Sequence, residues 1–403
     1  MFGAAVLAVA LAACGGGGGT SAPAAAPAGA PSMSPTSSPT TTPSGPLKLP
    51  AGFGYTTIAT VGGARQLAAL PNGDLIVGTS GSSVAIVPNA EGSAGSPATF
   101  ASLPESPAQG VAFGGGYVFV ATQHGVYRIA YTTGTQSGSA TQIAMVRTGS
   151  PTPGSDGDVH TTSSVAVSGS TLYVGVGSGC NACAEVDPTR ATVQRMGLDG
   201  SAMTTQAKRW RNAIALTTDP GTGNVWAGGA GQDDLPWGHP YEFMDPVSTH
   251  PAPADYGWPD CEENGVAYTA GANCSGVVVP QLEFPAYSTI IGAAFYPAGQ
   301  GGAYAFPAAY RGGLFVSMHG SWHAQGGIPA DPPHVAYVAF AGGAPARPVN
   351  WGDPTAQWSD FFTGFQNASG SRIGRTTGIA VGPQGSLFVA DDQTGNIYRI
   401  RPQ

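Results

Sequence analysis

Residues 110–131 read GVAFGGGYVFVATQHGVYRIAY. An apolar run meets a glycine turn and is followed by runs of β-branched and aromatic residues, which is the pattern of a β-hairpin. The same pattern returns five more times along the chain. The other copies begin at Leu67 (LAALPNGDLIVGT), Ser163 (SSVAVSGSTLYVGVGSG), Ala213 (AIALTTDPGTGNVWAGGAG), Gly292 (GAAFYPA, continued by GGLFVSMHGSW) and Thr377 (TGIAVGPQGSLFVADDQTGNIYRI).

Hairpin repeats of about 40 to 50 residues are typical of β-propeller blades. We therefore expect an all-β protein in which residues 48–403 form a six-bladed β-propeller. The 62 glycines indicate many turns, and no amphipathic helical period of useful length appears. The strand-like segment Tyr55–Val61 precedes the first repeat, and we expect it to join the last blade and close the ring. The alternative is a pair of β-sandwiches, which would not need the same hairpin six times.

The N-terminal residues indicate export. Residues 1–13 are apolar and too short to span a membrane, so we interpret them as a signal peptide. Leu11-Ala12-Ala13-Cys14, at their end, resembles a bacterial lipoprotein processing site with Cys14 as the first residue after cleavage and lipidated; an ordinary secretory signal with an incidental cysteine is the alternative. Residues 14–47 are rich in Ala, Pro, Ser and Thr and predict a disordered tether. We expect a periplasmic protein that contacts a bacterial membrane only through its lipid anchor.

The charge balance argues against one class of partner. The formal net charge is -8, only 9% of the residues are charged, and no basic stripe appears. Nucleic acid is therefore not an expected partner.

Four cysteines lie beyond the tether: Cys180 and Cys183 in a CxxC, and Cys261 and Cys274 in one loop. An even number of cysteines in an exported chain favours disulfides. A redox-active CxxC is the alternative, but no βαβ pattern surrounds it, and zinc would need a second pair of ligands at the right spacing. We expect structural disulfides.

In a propeller, loops from equivalent positions of each blade converge on one face, so residues distant in sequence meet there. His160 precedes the strand of the third repeat, where a neutral imidazole can act as a general base. A turn histidine that caps the backbone is an equally open alternative. His319 and Trp322, in the HGSW sequence after a strand of the fifth repeat, would supply a polar rim and an aromatic wall.

Three arginines share one position in the repeat. Arg65, Arg211 and Arg375 precede the first, fourth and sixth copies, and the first two are followed by Gln66 and Asn212. Such a ring suits a planar ligand with several carboxylates, because guanidinium groups bind carboxylates through two hydrogen bonds. Salt bridges between blades are the alternative.

An acidic, glycine-rich loop follows the fourth repeat. Asp233, Asp234 and Glu242, together with free carbonyl oxygens, suit a hard cation such as calcium, although the spacing is not that of an EF-hand. A solvated acidic loop is the alternative. The chain has no Gly-x-Ser-x-Gly elbow, Walker loop or dinucleotide fingerprint.

Taken in order, these motifs resemble the glucose/sorbosone dehydrogenase family, the soluble quinoprotein six-bladed propellers, and most of all its sorbosone-dehydrogenase-like branch. The resemblance covers about residues 49–402. The motifs that carry it are Asp158-Val159-His160, Gly179-Cys180-Asn181-Ala182-Cys183, Arg211-Asn212, Asp233-Asp234-Leu235-Pro236, Asp255-Tyr256-Gly257-Trp258-Pro259, His319-Gly320-Ser321-Trp322 and Gly385-Ser386-Leu387-Phe388-Val389-Ala390-Asp391-Asp392.

The resemblance implies pyrroloquinoline quinone (PQQ) and Ca²⁺ as cofactors, with His160 as the base that takes a proton from the substrate hydroxyl while hydride passes to the quinone. The residues that would bind PQQ are Arg65, Gln66, Arg211, Asn212, His319, Trp322 and Arg375. The carbonyls of Gly231 and Gln232 would hold the calcium beside the cofactor, and Glu242 with the Tyr256 carbonyl would belong to a second, structural calcium site.

The chain departs from the family pattern at two places. Gln232 stands where the family usually has arginine, and His323-Ala324 stands where an Asn-Arg pair commonly follows HGSW. The implied function is oxidation of a sugar, polyol or sugar aldehyde, with electrons passing to a periplasmic or membrane acceptor. A non-catalytic cell-surface propeller that binds a ligand or protein partner is the alternative, and a metal-dependent lactonase is a third hypothesis.

Overall fold

The computed structural model describes residues 45–149, 159–262 and 264–403. It is an all-β six-bladed propeller, so the expected fold is confirmed. The predicted signal peptide, Cys14 and nearly all of the predicted tether lie outside the described residues. Among the described residues, no helix has the length and apolar character needed to cross a membrane.

Strand β1 (Phe53–Thr60) precedes the first blade and belongs to the last. Blade I comprises β2 (Ala64–Ala69), β3 (Leu75–Thr79), β4 (Ser83–Val87) and β5 (Ala98–Ser102). Blade II comprises β6 (Gly110–Gly114), β7 (Tyr117–Ala121), β8 (Gly125–Ala130) and β9 (Thr141–Met145). Blade III comprises β10 (Ser163–Ser168), β11 (Thr171–Val176), β12 (Thr192–Gly197) and β13 (Thr204–Lys208).

Blade IV comprises β14 (Ala213–Thr218), β15 (Val225–Gly229), β16 (Glu242–Asp245) and β18 (Leu282–Phe284), while β17 (Ala254–Asp255) extends blade III. Blade V comprises β19 (Ile290–Phe295), β20 (Leu314–Met318), β23 (His334–Val338) and β26 (Trp358–Phe362). Two short hairpins accompany it: β21 (Ala324–Gln325) with β22 (Ile328–Pro329), and β24 (Phe340–Ala341) with β25 (Ala344–Pro345). Blade VI comprises β27 (Thr376–Val381), β28 (Leu387–Asp391), β29 (Asn396–Pro402) and β1. The helical turns of the described residues are the 3₁₀ segments Val247–Thr249 and Ala308–Tyr310.

The ring closes as the sequence predicts. Strand β1 pairs antiparallel with β29, from Phe53 opposite Pro402 to Thr60 opposite Asn396. The first strand of each blade contacts the first strand of the next, and β27 contacts β2, so six inner strands surround a central channel. Because equivalent strands run in the same direction, the segments that precede the inner strands all lie at one end of this channel.

Blade II shows why the hairpin forms. Its β6–β7 turn consists of Gly115 and Gly116, which have φ values of 56° and 80°. Positive φ at both central residues is required by a type I′ turn, whose twist matches that of the paired strands. Strands β3 and β28 are buried along their whole length, because each sheet packs between two others. The strands therefore read as nearly continuous apolar runs.

Glycine is also needed where neighbouring inner strands approach each other. A Cβ atom on Gly292 of β19 would lie 2.1 Å from the carbonyl oxygen of Thr377, and one on Gly378 of β27 would lie 2.3 Å from that of Arg65. Both contacts are with backbone atoms, which cannot move aside. These glycines therefore allow blades V, VI and I to close tightly around the channel.

Both predicted disulfides are present. Cys180 is bonded to Cys183, and Cys261 is bonded to Cys274. The first closes the loop between β11 and β12, and the second closes the long loop between β17 and β18. Because all four sulfur atoms are in disulfides, none is available to bind zinc, and a redox role for the Cys180–Cys183 bridge stays the alternative.

Candidate functional site

A cavity of about 200 Å³ opens at the channel end where the inner strands begin. We call it the mouth cavity. Its lining consists of His160, Arg211, Asn212, Ile214, Ala230, Gly231, Gln232, Asp233, Pro240, Glu242, Tyr287, Thr289, Ser321, Trp322 and His323. Eight of the residues predicted for catalysis or binding are thus brought together: His160, Arg211, Asn212, Gly231, Gln232, Asp233, Glu242 and Trp322.

His160 is held in one orientation by Ser178. Its Nδ1 lies 2.8 Å from the Ser178 Oγ and 3.1 Å from the Ser178 carbonyl oxygen. The Ser178 hydroxyl is buried and donates to the Cys180 carbonyl at 2.7 Å, so toward the imidazole its oxygen acts as an acceptor. Nδ1 therefore carries the hydrogen of the neutral ring, and the lone pair is on Nε2. This is the tautomer that a general base acting through Nε2 requires.

The surroundings of His160 keep the imidazole neutral. Burial and the nearby positive charges of Arg211 and Arg147 lower its pKa to about 3, against a smaller opposing effect of its bond to Ser178. Arg147 also donates to the His160 carbonyl at 2.9 Å, which fixes the backbone of this segment. The ring is thus unprotonated over the whole physiological range, so Nε2 keeps a free lone pair.

This depressed pKa predicts how stability depends on pH. Below an unfolded-state pKa of about 6.5, the unfolded chain binds a proton at residue 160 that the folded protein does not, so His160 reduces stability as the pH falls toward its folded pKa. Between pH 7.5 and pH 5, this loss amounts to about 2 kcal/mol. We expect the difference in free energy of unfolding between the native protein and His160→Asn to shift by that amount in favour of the variant. Urea denaturation of both proteins at the two pH values measures it, and a pH-independent difference would contradict it.

Arg211 connects three loops around the cavity. Only 7% of this residue is exposed. Its Nη2 lies 2.9 Å from the Asp233 carboxylate, its Nη1 donates to the Gly231 carbonyl at 2.5 Å, and its Nε donates to the Asn181 carbonyl at 3.2 Å. The guanidinium is therefore rigidly placed against the loop that follows β15.

Asn181 is a site residue that sequence reasoning missed as an individual. Its Oδ1 accepts hydrogen bonds from Arg211 Nη2 at 3.0 Å and from the Asp233 backbone N–H at 2.7 Å. Its Nδ2 donates to the Asp233 carbonyl at 3.1 Å, and its own carbonyl accepts from Trp258 Nε1. Asn181 lies between Cys180 and Cys183, so the disulfide loop holds both Arg211 and Asp233. The CxxC spacing marked this loop, but only the fold shows which loops it contacts.

Oxygen atoms suitable for a cation line one side of the mouth cavity. Glu242 is buried, accepts a hydrogen bond from the Gly231 N–H at 3.2 Å, and has its pKa raised to about 8 by burial. Gly231 and Gln232 line the same cavity. Tyr256 does not; it lies behind it beside a space of about 20 Å³, and its hydroxyl donates to Asp245 at 2.6 Å. The lining of the mouth cavity thus contains three of the four metal ligands that the resemblance implies.

The other predicted cofactor residues form a second group beside the cavity. Arg65 pairs with Asp392 at 3.2 Å, and His319 Nε2 lies 3.0 Å from the same carboxylate. Arg375 donates to the carbonyls of His319 and Gly320, in the segment that continues to Trp322. The Arg65–Asp392 pair joins blades I and VI, as the alternative of inter-blade salt bridging predicts.

Positive charge nevertheless exceeds negative charge in this second group. Burial and repulsion from Arg372 and Arg65 lower the pKa of Arg375 to about 10. Gln66 lies deeper and donates to the carbonyl of Ile214, a cavity-lining residue, at 2.5 Å. The second group therefore lies on the same face of the propeller as the mouth cavity and is suited to an anionic group.

The backbone at the cavity is strained. Tyr287 and Thr289 line it with φ values of 72° and 53°, in the left-handed region that residues with a Cβ rarely adopt. Such conformations cost about 1–3 kcal/mol each and are found mainly at functional sites. The segment is held nonetheless, because the backbone N–H groups of His319 and Gly320 donate to the carbonyls of Thr289 and Ser288.

Comparison with known proteins places this geometry among related folds. Residues 261–403 match a family model described as TrAA12-like. No curated protein matches the sequence. A calcium structure of the Trichoderma reesei family AA12 enzyme aligns with 20% identity and a TM-score of 0.71, over 89% of this chain and 97% of that one.

Two further solved structures have the same fold. The holo form of the pyranose dehydrogenase PQQ domain from Coprinopsis cinerea aligns with 18% identity and a TM-score of 0.69, over 88% of this chain and 97% of that one. A putative oxidoreductase (glucose dehydrogenase) from Thermus thermophilus aligns with 16% identity and a TM-score of 0.57, over 87% of this chain and 100% of that one. Residues 261–403 thus match the TrAA12-like family model, and the whole propeller has the fold of these three structures.

Proposed function

We propose that the protein is a PQQ- and calcium-dependent dehydrogenase that oxidises a hydroxyl group of a sugar, polyol or sugar aldehyde. The observation that carries the proposal is the position of His160. Its unprotonated Nε2 belongs to a ring that lines the same cavity as Arg211 and the oxygen-rich side formed by Glu242 and Gly231. A base, a buried cation and hard metal ligands are the groups that this chemistry needs in one place.

The residues present suit the two cofactors. The buried amide oxygen of Asn212 has no hydrogen-bond partner within the described part of the chain, so it is available to an N–H or O–H group of a ligand. The carboxyl group of Glu242, which would bind Ca²⁺ in its ionised form, and the carbonyl oxygens of Gly231 and Gln232 are the donors that Ca²⁺ prefers. Arg211, Arg375 and Arg65 would hold the carboxylates of PQQ.

When bound, PQQ supplies the hydride acceptor and Ca²⁺ polarises its quinone carbonyl. The protein supplies the proton acceptor. His160 Nε2 accepts the proton of the substrate hydroxyl as the carbon gives up its hydride, and the hydrogen bond from Nδ1 to Ser178 keeps the ring directed at the cavity. Repulsion from Arg211 and Arg147 favours release of that proton afterwards, so the base returns to its neutral form.

Titration of the purified protein with PQQ and CaCl₂ tests the proposal. We expect a saturable change in the quinone absorbance, and dye reduction with a panel of aldoses and sorbosone that disappears on chelation with EGTA and returns with Ca²⁺. The absence of any absorbance change at micromolar protein would contradict the proposal and favour the non-catalytic, ligand-binding propeller. Lactone hydrolysis without PQQ would instead identify a metal-dependent hydrolase.

A further inference from the structure

Four aromatic rings form a chain of consecutive contacts that begins in the mouth cavity. The ring centroids of Trp322 and His323 are 3.9 Å apart, those of His323 and Tyr287 are 4.3 Å apart, and those of Tyr287 and Trp237 are 5.1 Å apart. The first three residues line the cavity, whereas Trp237 lies beyond it. We call these four residues the aromatic rim.

The two ends of the aromatic rim face solvent. Trp322 is 69% exposed and Trp237 is 49% exposed, whereas Trp210, Trp226 and Trp258 are buried. Exposed aromatic surface contributes nothing to the core, and when it adjoins a binding cavity it is typical of a ligand-contact surface. His323 connects the rim to the ion pair in the mouth cavity, because its Nε2 lies 3.6 Å from the Asp233 carboxylate that pairs with Arg211.

The chemistry of the rim favours carbohydrate as its occupant. One face of a pyranose ring presents C–H groups that pack on an aromatic ring, while its hydroxyl groups need polar partners at the edge. Here Asp234 is exposed and Gln232 is half-buried, in the segment that leads to Trp237. A flat protein partner would need an interface of about 800 Å² on each side. The chain of ring contacts instead leads from the cavity to the exposed Trp237, as a chain of sugar units would require.

The size of the mouth cavity also favours a sugar chain that extends onto the rim. Its volume of about 200 Å³ is below the range of roughly 300–1,000 Å³ that is usual for a pocket enclosing a drug-sized ligand. A cavity of this size cannot enclose several sugar units. Any further sugar unit must lie outside, where the rim is.

We propose that the aromatic rim is a carbohydrate subsite, and that the sugar oxidised at His160 is the terminal unit of an oligosaccharide. Trp322 contacts the unit nearest the cavity and Trp237 contacts a more distant one. The substrate assignment rests on the proposed dehydrogenase function, whereas the binding of an oligosaccharide to the rim does not.

Calorimetric titration of the protein without PQQ tests oligosaccharide binding to the rim separately from the dehydrogenase function. The probes are cellotriose, maltotriose and xylotriose, each compared with its own monosaccharide. At least one trisaccharide is expected to bind at least tenfold more tightly than its monosaccharide. Trp237→Ala should remove most of this gain, and Trp237→Phe, which keeps an aromatic face, should retain most of it. Since Trp237 is exposed, both variants are expected to fold, which thermal unfolding checks.

Two outcomes would overturn the subsite: no trisaccharide binds more tightly than its monosaccharide, or the gain is the same in Trp237→Ala. If the gain depends on Trp237 and yet PQQ and Ca²⁺ produce no dye reduction, the subsite stands and the dehydrogenase function is wrong. If turnover occurs, kcat/KM for the trisaccharide divided by that for the monosaccharide should fall about tenfold in Trp237→Ala.

Discussion

Replacing His160 with asparagine is expected to lower kcat for dye reduction by roughly 10²–10⁴-fold, the usual contribution of a positioned general base. Asparagine places an N–H group near the position of Nδ1, so the contact with the Ser178 carbonyl can be kept. It has no group that accepts a proton at the position of Nε2. The variant therefore removes the base while leaving the local hydrogen bonding nearly intact.

The cofactor affinity of His160→Asn should stay within a few-fold of the native value, since Arg211, Arg375 and Arg65 are unchanged. The quinone absorbance titration measures it beside the rate. His124→Gln is a matched control: His124 pairs with Glu105 and does not line the mouth cavity, so its turnover should match the native protein. Native-like turnover in His160→Asn would remove this residue from the mechanism.

The fold could be predicted because its information is local and repeated. Each hairpin has its own turn, as Gly115-Gly116 shows, and six similar hairpins have few ways to bury both faces of every sheet. Ring closure was predictable because the strand-like segment Tyr55–Val61 precedes the first repeat, and this segment corresponds to β1 (Phe53–Thr60). No such repetition predicts the loops, whose paths depend on contacts between blades.

The candidate site likewise contains residues whose positions the repeat predicts and residues whose positions it does not. His160 and Arg211 hold equivalent positions before inner strands, and equivalent positions meet at one end of a propeller, so their proximity followed from the repeat. Asn181 reaches Asp233 across 52 residues, a contact that no periodicity marks. His323 was noted only as a departure from a family pattern, yet it lies in the cavity beside Asp233. Such contacts between irregular loops appear only in three dimensions.

Replacing Arg211 with leucine is expected to abolish measurable PQQ binding and to lower the free energy of unfolding by about 1–3 kcal/mol, the usual cost of leaving buried acceptors without their donor. The loss has a clear origin, because Asp233 would keep its charge without its cationic partner. The acceptor atoms of Asn181 and Gly231 would lose their donors as well. Urea denaturation and the quinone absorbance titration give the two readouts.

The double variant Arg211→Leu/Asp233→Leu separates the two roles of the guanidinium. It removes both charges, so the penalty of an unpaired carboxylate disappears and much of the lost stability should return. PQQ binding should not return, because a tricarboxylate still finds no cation at this position. The stability and PQQ affinity of Arg211→Lys should lie between those of the native protein and those of Arg211→Leu. A lysine keeps the charge but cannot reach Asn181, Gly231 and Asp233 with a planar group. If the double variant binds PQQ with native affinity, Arg211 serves only to hold the loops together, and the cofactor must be bound by the group of Arg65 and Arg375.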